Sequence, residues 1–350
     1  MTIVKVGIIG CGVIGNGHLR VAARSSLVEV VAVADVREEA ARQAAQAFNI
    51  ASYYASADDL LADPEVEAVV LALPAFARTE IALRAFAAHK HVLLEKPVAM
   101  NAAEVEQLIG AQGECIAGCC SSRFRFSEPA QVATALLRSG VLGTLRVVRA
   151  RGIGAAGAPP EGVPPAWRVS KRLNGGGILM NWGCYDLDYL LGLTGWSLRP
   201  QIVLAQSWPV TPKLEGYVAP GSDAETHAVA LILCAGGSVI SLERGEFTAQ
   251  RAETVWEMVG SQGALHLQML PGEGNVIVHD EIVPGQGVVS RTIWEGDVRD
   301  ETIAAGPLED FAAAIWERRE PLTSLKEALV VQQIIDAIYA SAERGEAVTI

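Results

Sequence analysis

The chain has 350 residues, 50% of them hydrophobic, and carries 28 Lys and Arg against 40 Asp and Glu, for a formal net charge of −12. That length holds two packed domains of ordinary size, and an acidic chain without a Lys/Arg block is a poor match for nucleic acid or an anionic membrane. No apolar run reaches the roughly 18 residues of a spanning helix. The chain also enters its first strand at once, so no signal peptide is expected and a cytoplasmic location is.

Val4 to Ile9 reads as a strand that runs into Gly10, Gly12 and Gly15 of the segment VKVGIIGCGVIGNGHL. Gly10 permits a sharp turn, Gly12 lets backbone N–H groups approach a pyrophosphate, and Gly15 allows the next helix to lie close to the strand. Gly10, Gly12, Val13, Ile14 and Gly15 are therefore the expected phosphate loop, where the positive end of the helix dipole faces the ligand. The next apolar run, LVEVVAVAD, ends on Asp35, about twenty residues beyond the glycines. A carboxylate there accepts hydrogen bonds from both adenosine ribose hydroxyls and repels a 2′-phosphate, so NAD is expected rather than NADP. Arg37 carries the NADP alternative, because a guanidinium pairs with that phosphate or stacks on adenine.

Apolar strands and alanine-rich amphipathic helices go on alternating: a helix to Phe48, EAVVLALP, a helix through AFAAH, then KHVLLEKP. This order predicts an α/β fold with an N-terminal Rossmann domain, a doubly wound parallel sheet, over residues 1–123. After Arg123 the runs GTLRVVRARG, QIVLAQS, THAVALILC, SVISLERGEF, TVWEMVG and ALHLQML are extended and separated by Gly, Pro and Ser. They predict a second α/β domain over residues 124–350 with a large, mainly antiparallel open sheet. Ala235-Gly236-Gly237 reads as a hairpin turn, Gly177 to Leu193 as a helical interruption, and the stretch after Pro321 as a helix with Ala328, Val331, Ile335 and Ile338 on one face. Gly152 to Trp167 lacks periodicity and reads as a long loop, either covering a substrate or simply exposed.

The six cysteines show no paired C-x-x-C spacing, and the six histidines show no H-E-x-x-H pattern. Reduced thiols and no metal are expected.

Several of these segments together resemble the glucose-fructose oxidoreductase/inositol dehydrogenase/rhizopine-catabolism (Gfo/Idh/MocA) oxidoreductase family. They are the Gly-rich turn with His18 in its helix, AVVLALP, the step Glu95-Lys96-Pro97 and the pair Arg123-Phe124. Farther on come WRVSKRLNGGGILMNWGCYDLDYL and the ending ERREPLTSLKEALVVQQIIDAIYASAERGEAVTI, so nearly the whole chain is covered. The resemblance implies hydride exchange between a nicotinamide and a secondary alcohol of a sugar, sugar derivative or cyclitol, with Lys96 as the catalytic lysine. It adds Pro74, Glu95 and Lys96 to the cofactor contacts, and implies a homodimer or homotetramer built through the second domain's sheet.

The family's later motif reads GGG followed by D-x-G-x-H-x-x-D. Here Asn181 replaces the first acid and Tyr185 the histidine. An asparagine cannot take a proton, so Asn181 is expected only to orient hydroxyls, while Tyr185 is expected to act with Lys96 in a proton relay. In a regular helix Asn181, Tyr185 and Asp188 share a face and line one pocket. Arg123, Trp167 and Arg168 are further expected substrate contacts. Arg78 reads either as a binder of an anionic substrate group or as a surface helix residue. Two other functions fit the same residues: an NAD-dependent glycosidase or lyase that oxidises transiently, and a catalytically silent cofactor-sensing binding protein.

Overall fold

The computed structural model describes residues 3–350. Its chain forms two units, one ending at Arg123 and also taking in Glu301–Val330, the other made of Phe124–Asp300 and Val331–Ile350.

The first unit alternates β1 (Val4–Ile9), α1 (Val13–Ala22), β2 (Val28–Ala34), α2 (Glu38–Phe48), β3 (Ser52–Tyr54), α3 (Ala57–Ala62), β4 (Ala68–Leu71), α4 (Ala75–Ala87), β5 (His91–Leu94), α5 (Ala102–Ala111) and β6 (Ala117–Cys119). Its six-stranded sheet has the order β3-β2-β1-β4-β5-β6 with every pair parallel. Such a sheet is covered on both faces, which is why every residue of β4 is buried and why the run AVVL does not alternate. Side-chain caps fix the starts of α3 and α5, where Ser56 accepts from the Asp58 N–H and Asn101 from the Glu104 N–H.

The second unit contains α6 (Glu128–Arg138), β7 (Leu145–Ala155), the short α7 (Lys171–Asn174), α8 (Cys184–Leu193), β8 (Pro200–Trp208), β9 (His227–Cys234), β10 (Val239–Thr248), β11 (Glu253–Gly260), β12 (Gly263–Leu267), β13 (Gly272–Val283) and β14 (Gly287–Val298). Its nine-stranded sheet, ordered β14-β13-β12-β11-β7-β10-β9-β8-β15 with β15 at Val348–Thr349, is antiparallel except where β7 pairs with β10. Gly236 and Gly237, at φ +84° and +90°, form the hairpin turn between β9 and β10. The expected loop from Gly152 is shorter than its sequence suggests, because Gly152 to Ala155 complete β7 between β10 and β11.

The boundary 124–350 needs correction at its end. Helix α9 (Asp300–Glu317) places Leu308, Phe311 and Ala312 in the core with Val6, Ile8 and Leu93. Helix α10 (Leu325–Arg344) begins by placing Leu325 and Ala328 beside Val69, Leu71 and Leu94. Between the helices the Thr323 carbonyl accepts from the Cys119 N–H of β6 at 3.0 Å. The apolar face of this late segment finds its complement in the first sheet, a pairing that linear order does not reveal. Phe311→Ala therefore destabilises the first unit by about 3–5 kcal/mol, which the urea midpoint of the full chain, followed by a probe on α1, measures directly.

Candidate active site

The turn after β1 is built by close backbone contacts. Gly10 has φ +99°, its N–H donates to the Ala34 carbonyl at 2.7 Å, and a Cβ there would come 2.5 Å from the Ala72 carbonyl oxygen. A Cβ on Gly15 would overlap the Gly10 carbonyl oxygen, so α1 lies against β1 as only glycine permits. Gly12 caps α1 without a side-chain hydrogen bond, and nothing lies within 4 Å of the point its Cβ would occupy. The N–H groups of Gly12, Val13 and Ile14 thus open onto space at the positive end of a helix of 10 residues. Asp35 is fixed at the end of β2, one oxygen accepting from the Cys11 N–H and the other from the Arg37 N–H, both at 2.9 Å. The exposed Arg37 side chain reaches back to the same carboxylate at 3.4 Å. This cradle fits NAD: the loop N–H groups suit the pyrophosphate, and the positioned carboxylate suits the adenosine ribose.

At the same carboxyl edge of the sheet, Glu95 follows β5 and is buried. Its Oε1 lies 2.9 Å from His18 Nε2 of α1 and 3.9 Å from Arg123 Nη2, while its Oε2 accepts from the Lys96 N–H at 3.0 Å. Burial raises the carboxyl's pKa, but the hydrogen bond and charge of His18 and the charges of Arg123 and Lys96 outweigh it and hold the group well below the usual carboxylate range. Arg123, expected as a substrate contact, is thus an ion-pair partner of Glu95 whose side chain remains 25% exposed. The Lys96–Pro97 peptide is cis. Arg78 is not the surface helix residue that is one of its two readings: it is buried, and its guanidinium donates to the Pro97 and Leu73 carbonyls. It thereby ties the loop before Pro74 to the Lys96 loop.

One cluster able to ligate a metal occurs among the described residues, His18, Glu95 and Cys120, with ligand atoms within 4.8 Å of one another. The sequence pattern does not bring these residues together. Two of them already share the 2.9 Å hydrogen bond, and burial pushes the Cys120 thiol well up. The cluster thus contains a hydrogen-bonded histidine–carboxylate pair beside a protonated thiol.

In the second unit the GGG segment is clamped from outside. Glu225 accepts from the N–H groups of Gly177 and Leu179 at 3.0 Å and from the Tyr339 hydroxyl at 2.9 Å. A Cβ on Gly177 would strike the Glu225 backbone, so this approach also requires glycine. Residues Leu179–Gly183 then form a π-helical turn before α8. The wider turn breaks the spacing that places Asn181, Tyr185 and Asp188 on one face. Asn181 donates to the Arg168 carbonyl at 2.9 Å, and Asp188 is fully buried against Arg125 at 3.2 Å, so the expected common pocket wall does not include Asp188.

Tyr185 packs edge-on against Phe124, centroids 4.9 Å apart, and tilts toward Trp182 at 5.7 Å. Beneath this cluster Arg244 forms a fork onto Asp186 at 2.5 and 2.9 Å, Trp256 Nε1 donates to the same carboxylate at 2.8 Å, and the guanidinium lies 5.0 Å from the Trp182 ring centre. Arg168 pairs with Glu246, while Trp167 beside it is exposed. Glu225, Asp186, Arg244 and Glu246 are polar supports that the sequence reading missed. A signal existed for two of them, since Ile240, Leu242, Arg244 and Glu246 recur at the period of a strand and so share the buried face.

A Gly-rich strand–turn–helix, an acid closing the second strand and the 3-2-1-4-5-6 sheet order define a dinucleotide-binding protein of Rossmann type. Residues 4–114 match the oxidoreductase family with NAD-binding Rossmann fold, and residues 130–266 match the Gfo/Idh/MocA C-terminal domain. The chain is 30% identical to an uncharacterized oxidoreductase of Synechocystis sp., over 95% of this chain and 92% of that protein. It is 34% identical to trans-1,2-dihydrobenzene-1,2-diol dehydrogenase of Mus musculus, over 57% of this chain and 58% of the other. Levoglucosan dehydrogenase in complex with NADH and levoglucosan shares the fold, with a TM-score of 0.85 at 22% identity over 100% of both chains. The chain belongs to the Gfo/Idh/MocA family of NAD-binding oxidoreductases.

Glu95 supplies a pH-dependent contribution to stability. Its folded pKa lies below the ordinary 4.5, so the contribution is complete above that value and is lost as pH falls from there toward the lowered value. Glu95→Gln leaves His18 and Arg123 without their buried partner and costs about 3–5 kcal/mol at neutral pH. The same variant flattens the acid limb of the stability curve, as urea midpoints measured across the acid range will report.

Proposed function

We propose that the protein is an NAD-dependent dehydrogenase acting on a secondary alcohol, or in reverse on the matching ketone, of a sugar, sugar derivative or cyclitol. The observation that carries this reading is the Lys96 loop of an NAD-binding oxidoreductase, held by Glu95 through the Lys96 N–H and by Arg78 through the Pro97 carbonyl. Relatives point the same way: besides the diol dehydrogenase above, inositol 2-dehydrogenase of Salmonella typhimurium is 40% identical over 31% of this chain.

When bound, NAD supplies the acceptor for the hydride that leaves the carbinol carbon. The hydroxyl proton must leave as the carbonyl forms, and Lys96 with Tyr185 is the pair assigned to remove it and pass it to solvent. An ordinary lysine, near 10.4, and an ordinary tyrosine, near 10, hold their protons at neutral pH, so base strength is gained as pH rises. Asn181 takes no proton. With its amide donated to the Arg168 carbonyl, it keeps Arg168 in place for substrate hydroxyls, and Trp167 offers an apolar face to sugar C–H groups.

We further propose that a second copy of this chain covers the outer face of β8 and β9 around Ile202 and Leu204, short of Trp208 at the far end of β8. There Ile202 pairs with Leu233 and Leu204 with Leu231, and all four side chains stand exposed.

Lys96→Ala lowers kcat by about 10²–10⁴-fold while leaving NAD affinity nearly unchanged, and Tyr185→Phe flattens the rise of alcohol oxidation with pH. NADH formation across a panel of sugars, sugar acids and inositols, at neutral and alkaline pH, reads both; full turnover by Lys96→Ala ends the proposal. Solvent deuterium entering the carbon beside the ketone without net NADH favours the glycosidase or lyase alternative. NAD binding with no turnover of any substrate favours the silent sensor. For the interface, Leu204→Glu with Leu231→Glu reduces the sedimenting species to a monomer, whereas an unchanged mass excludes that face.

A further inference from the structure

A pocket of about 370 Å³ opens at the end of the nine-stranded sheet, in the second unit alone, and no step above uses it. It is framed by Trp208, Thr211, Thr226, Glu246, Phe247 and Gln250, with His227 beside Trp208 at 5.4 Å between ring centres. Its volume falls at the lower end of the roughly 300–1,000 Å³ range of small-ligand sites.

Three observations mark this pocket as built rather than incidental. First, Glu246 is buried with one oxygen paired to Arg168, and among the described residues its Oε1 has no hydrogen-bond partner. A buried acceptor left unmade costs about 1–3 kcal/mol, so a donor from a ligand has something to satisfy. Second, Phe247 has φ +53°, in the left-handed region that a phenylalanine rarely adopts. The distortion interrupts the pairing of β10 with β7 after Gly245 and is held by packing, since the Phe247 ring meets Tyr217 at 5.7 Å and the Arg168 guanidinium at 5.6 Å. Third, the lining combines an aromatic face, neutral hydroxyl and amide groups and one carboxylate, with no lysine or arginine. Lys213 and Arg251 line only the adjoining pocket of about 410 Å³, which shares Thr211, Thr248, Ala249 and Gln250 with the first.

We propose that this pocket binds a neutral polyhydroxylated ring, with Trp208 stacked on its C–H face and Glu246, Thr226 and Gln250 hydrogen-bonded to its hydroxyls. The chemistry selects that class. An anionic ligand meets the Glu246 carboxylate, and Arg168 beside it is already paired with that same carboxylate, while a purely apolar ligand leaves the Glu246 Oε1 unsatisfied. Hydroxyl groups donate to the carboxylate and exchange bonds with Thr and Gln, and the indole covers the apolar ring face. Burial raises the Glu246 pKa, Arg168 opposes that rise and nearby Glu225 adds to it, in keeping with a carboxylate short of donors. Lys96 does not line this site, which touches the dehydrogenase reading only through Arg168, the partner of Glu246.

The test follows the indole N–H signal of Trp208 by NMR in the full-length ¹⁵N-tryptophan protein, assigned through its loss in Trp208→Phe. Methyl β-D-glucopyranoside, methyl β-D-galactopyranoside and myo-inositol are titrated separately, with glucose 6-phosphate as the anionic comparison. At least one neutral ring shifts the Trp208 signal saturably, does so equally in Lys96→Ala, and binds at least tenfold more weakly to Glu246→Ala. Gln250 is exposed, so Gln250→Ala spares the fold and, with the Trp208 signal still present to read it, provides a second weakened variant if Glu246→Ala does not fold. A Trp208 signal unmoved by every neutral ring, a response to the phosphate alone, or affinity unchanged in both variants overturns the proposal. Loss of turnover in Lys96→Ala with the Trp208 response intact separates this site from the dehydrogenase reading.

Discussion

The buried carboxylate of Glu95 is the point on which the first unit's chemistry rests. Taking such a charge out of water costs several kcal/mol unless partners replace the solvent. Here the partners come from different parts of the chain: His18 from α1, the Lys96 N–H from the next residue and Arg123 from the end of the unit. The helix that presents the phosphate loop and the turn that presents the lysine are thus bound to one ion. Arg78 adds the loop before Pro74 to the same framework by donating to the Leu73 and Pro97 carbonyls.

The second unit applies the same principle to a different backbone. A π-turn is rarely stable by itself, and Leu179–Gly183 is held between two buried acids, Glu225 before it and Asp186 after it. Asp186 is neutralised by Arg244, whose guanidinium also lies against Trp182, and Trp182 packs on Tyr185. The tyrosine ring therefore packs on a tryptophan that itself lies against this charge pair. Arg244→Leu would leave the buried Asp186 carboxyl its Trp256 N–H but no cation, a far larger disturbance than the loss of one stacked guanidinium.

Much of this was legible in the sequence where one residue type serves one local purpose. The unbroken run AVVL marks a strand covered on both faces, Gly10 and Gly15 mark backbone contacts closer than a Cβ allows, and Asp35 marks a strand end. The Ala-Gly-Gly hairpin is equally local. What was not legible depends on distant partners. Nothing near Arg78 in sequence announces that two carbonyls await it, and nothing near Asp188 announces that its partner is the distant Arg125. The hairpin of β13 and β14 carries mixed polar and apolar residues on partly solvated strands and lacks the apolar runs that reveal the others. The packing of α9 on the first sheet is invisible for the same reason, because an amphipathic helix states that it needs a partner but not which one.

That packing bears on how the chain is made. Domains ordinarily fold as they leave the ribosome, the N-terminal one first. The Rossmann sheet is encoded before residue 124, yet its core awaits Phe311 and Leu325. Until nearly the whole polypeptide has emerged, the nucleotide-binding half therefore lacks the side chains that close its core.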